Sequence, residues 1–594
     1  MRFISTLQNG YTIYAVTGTN TVSFAIDYET ADVNGLLGFA VERHDKTENE
    51  RYFIYGYKVF KDVIPNPDEN TVVSTWDQPV QSFSWDDMTA KPTHSYDYFF
   101  YPLKGQPKNI DRTALPVKVS VTTEDLNSTT NEHDVFFNRG VASSQAYRRR
   151  FKNKSPDNQE TPEKRQEAYD WLTRDLGPSL IKFIDQAQNG DALHACVYEF
   201  HYPPVLEALK KAADRGVDVQ IVADAKQKRD KNGNLKPSFP RDINMSSIAD
   251  AGLDNNIKKF RVARTSDIQH NKFIVYTTGG QPTSVWSGST NISTGGIFGQ
   301  TNVGHWVRNA QLAQQYKNYW DIISEDPGGL FEDTAAIKRK KNKDYEEAVT
   351  VIQPDLPNNI ASVPAGVTPI FSPRPKDTML DFYAFLLDAA TRSAYITLAF
   401  GVSDVFKKYL QDNTANNQLI FMLLEKKDVP DADHPDTFIK INASNNVYKA
   451  NGAYIKDTLY QWTKEVNTLI LGLNLHVIYI HSKFMLIDPL SADPIIVTGS
   501  ANFSDASTTK NDENMMIIRG NQRVADIYLT EFMRLFNHYY FRTVLENLRL
   551  ADNAPSDDSL FLSPNDTWQQ KYLPGTFKKK RLDLFKTMAG ALQG

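Results

Sequence analysis

Residues 270–291 read His270-Asn-Lys272-Phe-Ile-Val-Tyr276, then a turn-rich interval with Gly279, Gly280 and Pro282, then Val285-Trp-Ser-Gly288-Ser289-Thr-Asn291. Residues 481–502 repeat the plan as His481-Ser-Lys483-Phe-Met-Leu-Ile487, a turn from Asp488 to Pro494, and Ile495-Ile-Val-Thr498-Gly499-Ser500-Ala-Asn502. In both copies the asparagine follows the histidine by 21 residues. A lone His-x-Lys means little in a chain with 11 histidines, where it usually marks an exposed strand end. If Gly, Ser and Asn each fill about one position in twenty, all three fall at fixed places downstream by chance in roughly one case in several thousand. Finding the pattern twice at equal spacing removes the chance reading.

The spacing has a physical meaning. Residues i and i+2 of a strand share a face, so His270 points with Lys272 and His481 with Lys483. A hairpin then brings each Gly-Ser-x-Asn loop alongside. Each half presents an imidazole, an ammonium and a carboxamide, a set that suits a tetrahedral anion better than a metal ion, because the lysine repels cations. Neither a metal nor another cofactor is needed to account for it.

The paired motifs resemble the HKD motifs of the phospholipase D superfamily over residues 166–547. The resemblance implies two α/β repeats about a pseudo-twofold axis, one histidine attacking phosphorus to form a phosphohistidine, and the other protonating the leaving oxygen before activating water. Imidazole suits both tasks at neutral pH. Lys272, Lys483, Asn291 and Asn502 would hold the non-bridging oxygens. Glu513 follows Asn502 by 11 residues and matches an acidic position that in relatives hydrogen-bonds a catalytic histidine, whereas Asn302 stands at the same distance after Asn291, two residues past Gln300. By analogy with family members of similar asymmetry, Glu513 orients His270 as the nucleophile and His481 is the acid. The chain departs from the family pattern at Thr277, where the first motif's Asp would stand; Asp488 is present in the second copy.

Working outward, residues 1–147 alternate with period two in short segments such as 21–26, 52–57, 95–101 and 117–122, broken by Asn, Asp, Gly and Pro. Phe83-Ser-Trp85, then Tyr96-x-Tyr98-x-Phe100, resembles fibronectin type III or immunoglobulin-like sandwiches. This β-sandwich is expected to be a binding or scaffolding module for a protein partner. The polar, basic stretch 148–165 reads as a linker. Residues 166–350 and 351–550 alternate helix and strand, for example helix 176–188 before strand 193–200 and helix 379–391 before strand 394–400, and form the two α/β repeats. Ile184-Asp-x-Ala187 and Leu387-Asp-x-Ala390 mark equivalent helix ends. Lys338–Lys343 reads as a charged connection and 551–594 as a polar tail.

At 594 residues, 41% hydrophobic and 23% charged, the chain has enough apolar material to fold throughout. A net charge of -5 excludes a uniformly basic nucleic-acid coat but permits a local basic groove. The single cysteine, Cys196, excludes an internal disulfide framework and reads as a buried hydrophobe. The most apolar runs, such as 468–475, are too short to cross a membrane, and no signal-like segment opens the chain, so a cytoplasmic protein is expected. His305, His476 and the stripe Tyr316, Tyr319 and Trp320 read as structural. The expected function is a metal-independent phosphodiesterase, with nucleic acid preferred over phospholipid as substrate. Head-group release from phospholipids and an inactive phosphate-binding platform are the alternatives.

Overall fold

The computed structural model describes residues 1–68, 71–140, 147, 150–152, 154–413, 418–430, 435–452, 479–550 and 561–593. An N-terminal β-sandwich precedes two α/β units. One sandwich sheet orders strands Arg2–Ile4, Tyr11–Thr17, Val22–Tyr28 and Ser84–Asp87; the other is built on Leu36–Asp45 and Ser95–Gln106. Between them the period-two aromatics interlock. Phe24 lies 4.7 Å from Tyr98 and 5.3 Å from Phe100, ring centre to ring centre, and Tyr96, Tyr98, Phe100 and Phe83 are fully buried.

The two α/β sheets have the same strand order. The first runs His133–Phe137, Val303–Val307, Gln281–Gly288, Lys272–Thr278, Ala192–Val197, Asp218–Asp224, Ile257–Arg261. The second runs Gly366–Ser372, Glu513–Arg519, Ile495–Gly499, Phe484–Ile487, Ser393–Leu398, Leu419–Leu424, Val447–Asn451. In both, a parallel half meets an antiparallel half at the strand beside the one that follows the His-x-Lys pair, Ala192–Val197 in the first sheet and Ser393–Leu398 in the second. The strand Leu419–Leu424, LIFMLL, is buried at all 6 positions because helices cover both faces. The helices Leu176–Asp185 and Thr378–Asp388 end at the equivalent places read from the sequence and feed equivalent strands.

Several boundaries differ from the sequence reading. His133–Phe137 falls within the 1–147 segment but is the edge strand of the first α/β sheet, paired antiparallel with Val303–Val307. The supposed linker contains the start of a helix, Pro162–Thr173, capped by Thr161, and buries Phe151 against Trp171. Lys338–Lys343 lies inside the helix Ala335–Ile352, where Lys340–Asp344 and Lys343–Glu347 pairs one turn apart absorb the charge. The segment read as a tail folds back onto the sandwich: Trp568 and Tyr572 pack on Phe83 at 4.9 and 5.0 Å, and Leu592–Gln593 adds a parallel strand to Arg2–Ile4. Its apolar residues sit three and four apart among lysines, which hides one apolar face in a polar composition. Residues 468–475 and His476 lie outside the described residues; among those described, no helix is long and apolar enough to cross a membrane.

Buried ionic contacts join the units. Arg2 reaches Asp526 at 2.9 Å, the carbonyls of Pro489 and Leu490 at 2.8 and 2.9 Å, and that of Ala589 at 2.6 Å, so one guanidinium ties the N-terminus to the second repeat and the C-terminal segment. Glu531, on the helix Gln522–Leu550, is held by Arg174 at 3.3 Å and Arg534 at 2.5 Å. Burial raises the Glu531 carboxyl, but the two guanidiniums outweigh it and hold it at about 2. A carboxyl depressed below its unfolded value of about 4.3 stabilises the fold above that pH and loses the contribution as pH falls toward 2. Glu531→Gln, which strands two buried cations, is expected to cost about 3–5 kcal/mol at pH 7. Urea midpoints should show the gap between variant and wild type closing between pH 5 and pH 2, and a constant gap would contradict the ionic account.

Candidate active site

The strands that carry the two motifs lie antiparallel to their sheet partners and begin where the chains of the two units meet. There each repeat borrows backbone from the other. His270 N–H donates to the Asp512 carbonyl at 2.9 Å, and Thr301 N–H donates to the Tyr479 carbonyl at 2.8 Å. Short parallel bridges pair Gln269 with Asp512 and Thr301 with Ile480. The residue 11 places beyond each asparagine is thereby set beside the histidine of the opposite repeat.

The side chains follow. His270 Nδ1 lies 2.9 Å from both carboxylate oxygens of Glu513. His481 Nδ1 lies 2.9 Å from Asn302 Oδ1, whose amide nitrogen donates to the Gly296 carbonyl, so the imidazole is the donor. Both histidines therefore keep Nε2 for chemistry. Lys272 Nζ donates to the His270 carbonyl at 2.6 Å and Lys483 Nζ to the His481 carbonyl at 2.5 Å. Asn291 Nδ2 donates to Glu199 at 2.6 Å, while Asn291 Oδ1 and Asn502 Oδ1 find no protein partner. All seven residues singled out by the spacing, His270, Lys272, Asn291, His481, Lys483, Asn502 and Glu513, lie at this junction.

The Gly-Ser-x-Asn sequence has local reasons. A Cβ on Gly288 would meet the Val303 carbonyl oxygen at 2.2 Å, and one on Gly499 the Asn514 carbonyl oxygen at 2.2 Å, so only glycine lets the next strand approach. The following serine pins that strand: Ser289 Oγ donates to Asn302 Oδ1 at 2.8 Å and accepts from Val303 N–H at 3.0 Å, and Ser500 Oγ accepts from Asn514 N–H at 3.0 Å. Asp512 is fixed by Arg261 at 2.8 Å and by the Tyr345 hydroxyl at 3.0 Å, which holds the neighbouring Glu513 in register. Asp488 serves a different end, accepting three backbone N–H bonds from Thr391, Arg392 and Ser393 at 2.7–3.0 Å. In the first repeat Thr277 cannot do this; Asp191 holds the loop instead, through Gln188 N–H at 2.8 Å and the Tyr276 hydroxyl at 2.9 Å.

The electrostatics are those of a buried cationic site. Burial, then the Lys272 and Lys483 charges, push His270 well below the ordinary imidazole value; burial, then the same two lysines and His270, do so for His481. Burial brings Lys272 down to about 8 and drives Lys483 well below its usual range, with Lys272 adding repulsion. Burial raises Glu513 to about 8 against the pull of Lys272 and Lys483. Two ammoniums and two imidazoles surrounding one place, with the amide N–H groups of Asn291 and Asn502 as further donors, make a receptor for an anion that takes several hydrogen bonds.

The spacing did not reveal Glu199 or Tyr198. Glu199 stays ionised although buried, its carboxyl lowered by His201, Ser293 and Lys272. The Tyr198 ring lies 5.1 Å from His270, and Lys272 Nζ sits 5.4 Å from its centre. The available signal was a polar pair immediately past the apolar strand Ala192–Val197. His305 is buried between His133 Nδ1 at 3.0 Å and the Tyr528 hydroxyl at 3.1 Å, and Tyr316, Tyr319 and Trp320 are buried with their polar atoms bonded to Asn514, Ser372 and Ala195. Cys196 is buried.

The family profile described as cardiolipin synthase, PLD-like domain, matches residues 180–323 and 385–536. No curated protein matches the sequence. Among solved structures, phosphatidylserine synthase of Haemophilus influenzae is 11% identical with a TM-score of 0.39, covering 64% of this chain and 92% of its own. A phospholipase D family member, Nuc, of Salmonella typhimurium is 16% identical with a TM-score of 0.21, covering 29% of this chain and 93% of its own. Polyphosphate kinase of Porphyromonas gingivalis is 10% identical with a TM-score of 0.34 and covers 59% of this chain, which spans 46% of that kinase. With two matched segments that each hold one His-x-Lys and one Gly-Ser-x-Asn, meeting at a single site, the chain belongs to the phospholipase D superfamily.

Proposed function

We propose that the chain is a metal-independent phosphodiesterase acting on nucleic acid, with His270 as nucleophile and His481 as general acid and base. The observation that carries this reading is the unequal support of the two imidazoles: a carboxylate 2.9 Å behind His270 and a neutral amide 2.9 Å behind His481. A carboxylate stabilises the positive ring that forms when Nε2 bonds to phosphorus; an amide fixes a tautomer without holding a proton.

In the first step His270 Nε2 attacks phosphorus, the bond to the leaving oxygen breaks, and His481 gives that oxygen its proton. In the second, a water loses a proton to His481 Nε2 as its oxygen bonds to phosphorus, and the P–N bond breaks. His481 receives its first proton because the bound phosphate offsets the two ammoniums that depress it. Lys272, Lys483 and the amide N–H groups of Asn291 and Asn502 stabilise the non-bridging oxygens on five-coordinate phosphorus, a task that cations perform in metallonucleases.

The surroundings favour a nucleic-acid strand. From the end of strand Asp218–Asp224, whose Asp224 accepts from Gln269 N–H beside His270, a hairpin projects through Gln227–Arg229 and Leu235–Pro237. It carries exposed Lys228, Arg229, Lys231 and Lys236 against the single carboxylate of Asp230. Phe239, 41% exposed, then meets the Tyr198 ring that covers His270. Basic groups followed by an exposed ring suit a backbone and its bases. The family description, which names a lipid enzyme, favours head-group chemistry as the second reading.

Turnover is expected to survive excess EDTA; complete loss with recovery on adding magnesium would contradict the mechanism. His270→Ala should abolish turnover and phosphate labelling of the protein, while His481→Ala should slow departure and accumulate labelled His270 when the leaving group is good. Label on His481 would reverse the roles.

Oligonucleotide cleavage should weaken steeply as salt rises, whereas a small chromogenic diester should be affected much less. Release of head group from vesicles, with plasmid and oligonucleotide left intact, would select the lipid reading.

The rate should also trace a narrow bell against pH. Below about 8 the His270–Glu513 pair keeps a proton that blocks Nε2, and above about 8 Lys272 loses its charge. Measured as kcat/KM, which reports the free enzyme, the alkaline limb should lie nearer 8 than the ~10.4 of an ordinary lysine, and Lys272→Arg should move it upward in whatever activity remains. A limb unmoved by that substitution would assign it to another group.

A further inference from the structure

A cavity of about 820 Å³ opens between the sandwich and the folded-back C-terminal segment, sharing no residue with the paired motifs. Tyr57, Lys58 and Trp85 form one wall; Phe561, Trp568 and Lys571 form the other. The lysines are placed against their own interest. Burial, then the charges of Lys571 and Lys578, bring Lys58 down to about 8, and burial, then Lys571 and Arg581, do the same to Lys578. The opening is lined by Lys58, Lys61 and Lys571 against the carboxylate of Asp62, so cations outnumber it.

A more deeply buried pair elsewhere on this protein has a carboxylate: Lys407 and Lys449 share Asp428 at 2.9 and 2.6 Å, whereas the heads of Lys58, Lys571 and Lys578 reach solvent. Among the described residues Lys58 and Lys571 have no such partner, and Lys578 lies 5.5 Å over the Tyr572 ring. Like charges gathered on a concave surface disfavour the empty state, and an anion relieves them. The rings alongside them define the remainder of the ligand. Tyr57 is 39% exposed and Lys61 lies 5.7 Å over Phe561, so flat apolar surface and cationic surface alternate along the opening.

We propose that this cavity binds a nucleotide unit, its phosphate on Lys58 and Lys571 and its base on the rings of Tyr57 and Phe561, at a site separate from the paired histidines. The proposal does not rest on nucleic acid being the substrate: a lipid-cleaving enzyme could carry the same site for a free nucleotide. The same chemistry is offered by a free nucleotide and by a strand, and the test distinguishes them.

The experiment uses the full chain carrying His270→Ala, so that no probe is consumed, titrated calorimetrically with AMP, inorganic phosphate and a ten-residue oligothymidylate. AMP or the oligonucleotide should bind more tightly than inorganic phosphate. Lys58→Gln with Lys571→Gln should weaken that binding at least tenfold and lower the slope of log K against log salt by roughly two for the oligonucleotide. Tyr57→Ala should weaken AMP or oligonucleotide and leave inorganic phosphate unchanged. Binding of AMP assigns the site to a free nucleotide, and binding of the oligonucleotide alone assigns it to a strand. The lysine pair placed in the His270-containing protein should cleave the small chromogenic diester at the parent rate, which shows that it folds. Affinities for all three probes that ignore the lysine substitutions, or no binding by the parent, would overturn the proposal. Equal affinity for phosphate and AMP would overturn its aromatic part.

Discussion

The site exists because each repeat hands the other a length of backbone. The bonds from His270 N–H to the Asp512 carbonyl and from Thr301 N–H to the Tyr479 carbonyl join strands that belong to different sheets. Once they form, Glu513 and Asn302 have little choice of position, since each lies one residue from a bridged one. The consequence is that neither repeat can assemble half a site alone. A histidine without the opposite repeat would lose its Nδ1 partner and with it the tautomer that frees Nε2. The packing beneath enforces the same dependence: Phe371 of the second repeat stacks on Tyr319 of the first at 4.3 Å, and Asn514 receives hydrogen bonds from Ser287 and Tyr316 at 2.5 and 3.0 Å.

Holding two lysines and two histidines together out of water is costly unless an anion is expected. The partial relief comes from Glu513 and Glu199, both carboxylates placed behind a functional side chain and not between the lysines. Glu199 engages the amide nitrogen of Asn291, which turns Asn291 Oδ1 inward without a partner. Its strand equivalent in the second repeat, by the register of Val197 with Lys272 and of Ile396 with Met485, is Phe400, an apolar residue 58% exposed. Each repeat thus supplies one carboxylate, but both lie around the first motif, Glu513 behind His270 and Glu199 behind Asn291, beside the histidine that would bear the covalent bond.

Much of this was legible because the pattern is local. A run such as residues 419–424 is apolar throughout and can only be a strand buried on both faces; the 21-residue interval from histidine to asparagine is one hairpin long, and the hairpin forms in both copies. What escaped depends on contacts far apart in sequence. Residues 133–137, His-Asp-Val-Phe-Phe, form a short strand-like run directly after the sandwich strands, and only pairing with Val303–Val307 assigns them to the other sheet. The C-terminal segment looks polar until Trp568 and Tyr572 are seen against Phe83, almost 490 residues away. Glu199 meets Asn291 across 92 residues, an interval no periodicity encodes.

The unequal ends of the two repeats follow from what one phosphate can balance. Suppose residue 302 were also a glutamate. Each histidine would then have a buried carboxylate, and His481 would be held as imidazolium and give up its proton less readily. With amides at both places, neither ring would be stabilised when it bonds to phosphorus. A scaffold that places equivalent residues by equivalent backbone bonds can hold the two rings alike, but the reaction proposed above needs one that accepts a phosphoryl group and one that passes a proton back and forth. A single change of side chain at the borrowed position, glutamate at 513 against asparagine at 302, supplies that difference without disturbing the hydrogen-bonded frame, because both side chains present an oxygen to Nδ1 at the same 2.9 Å.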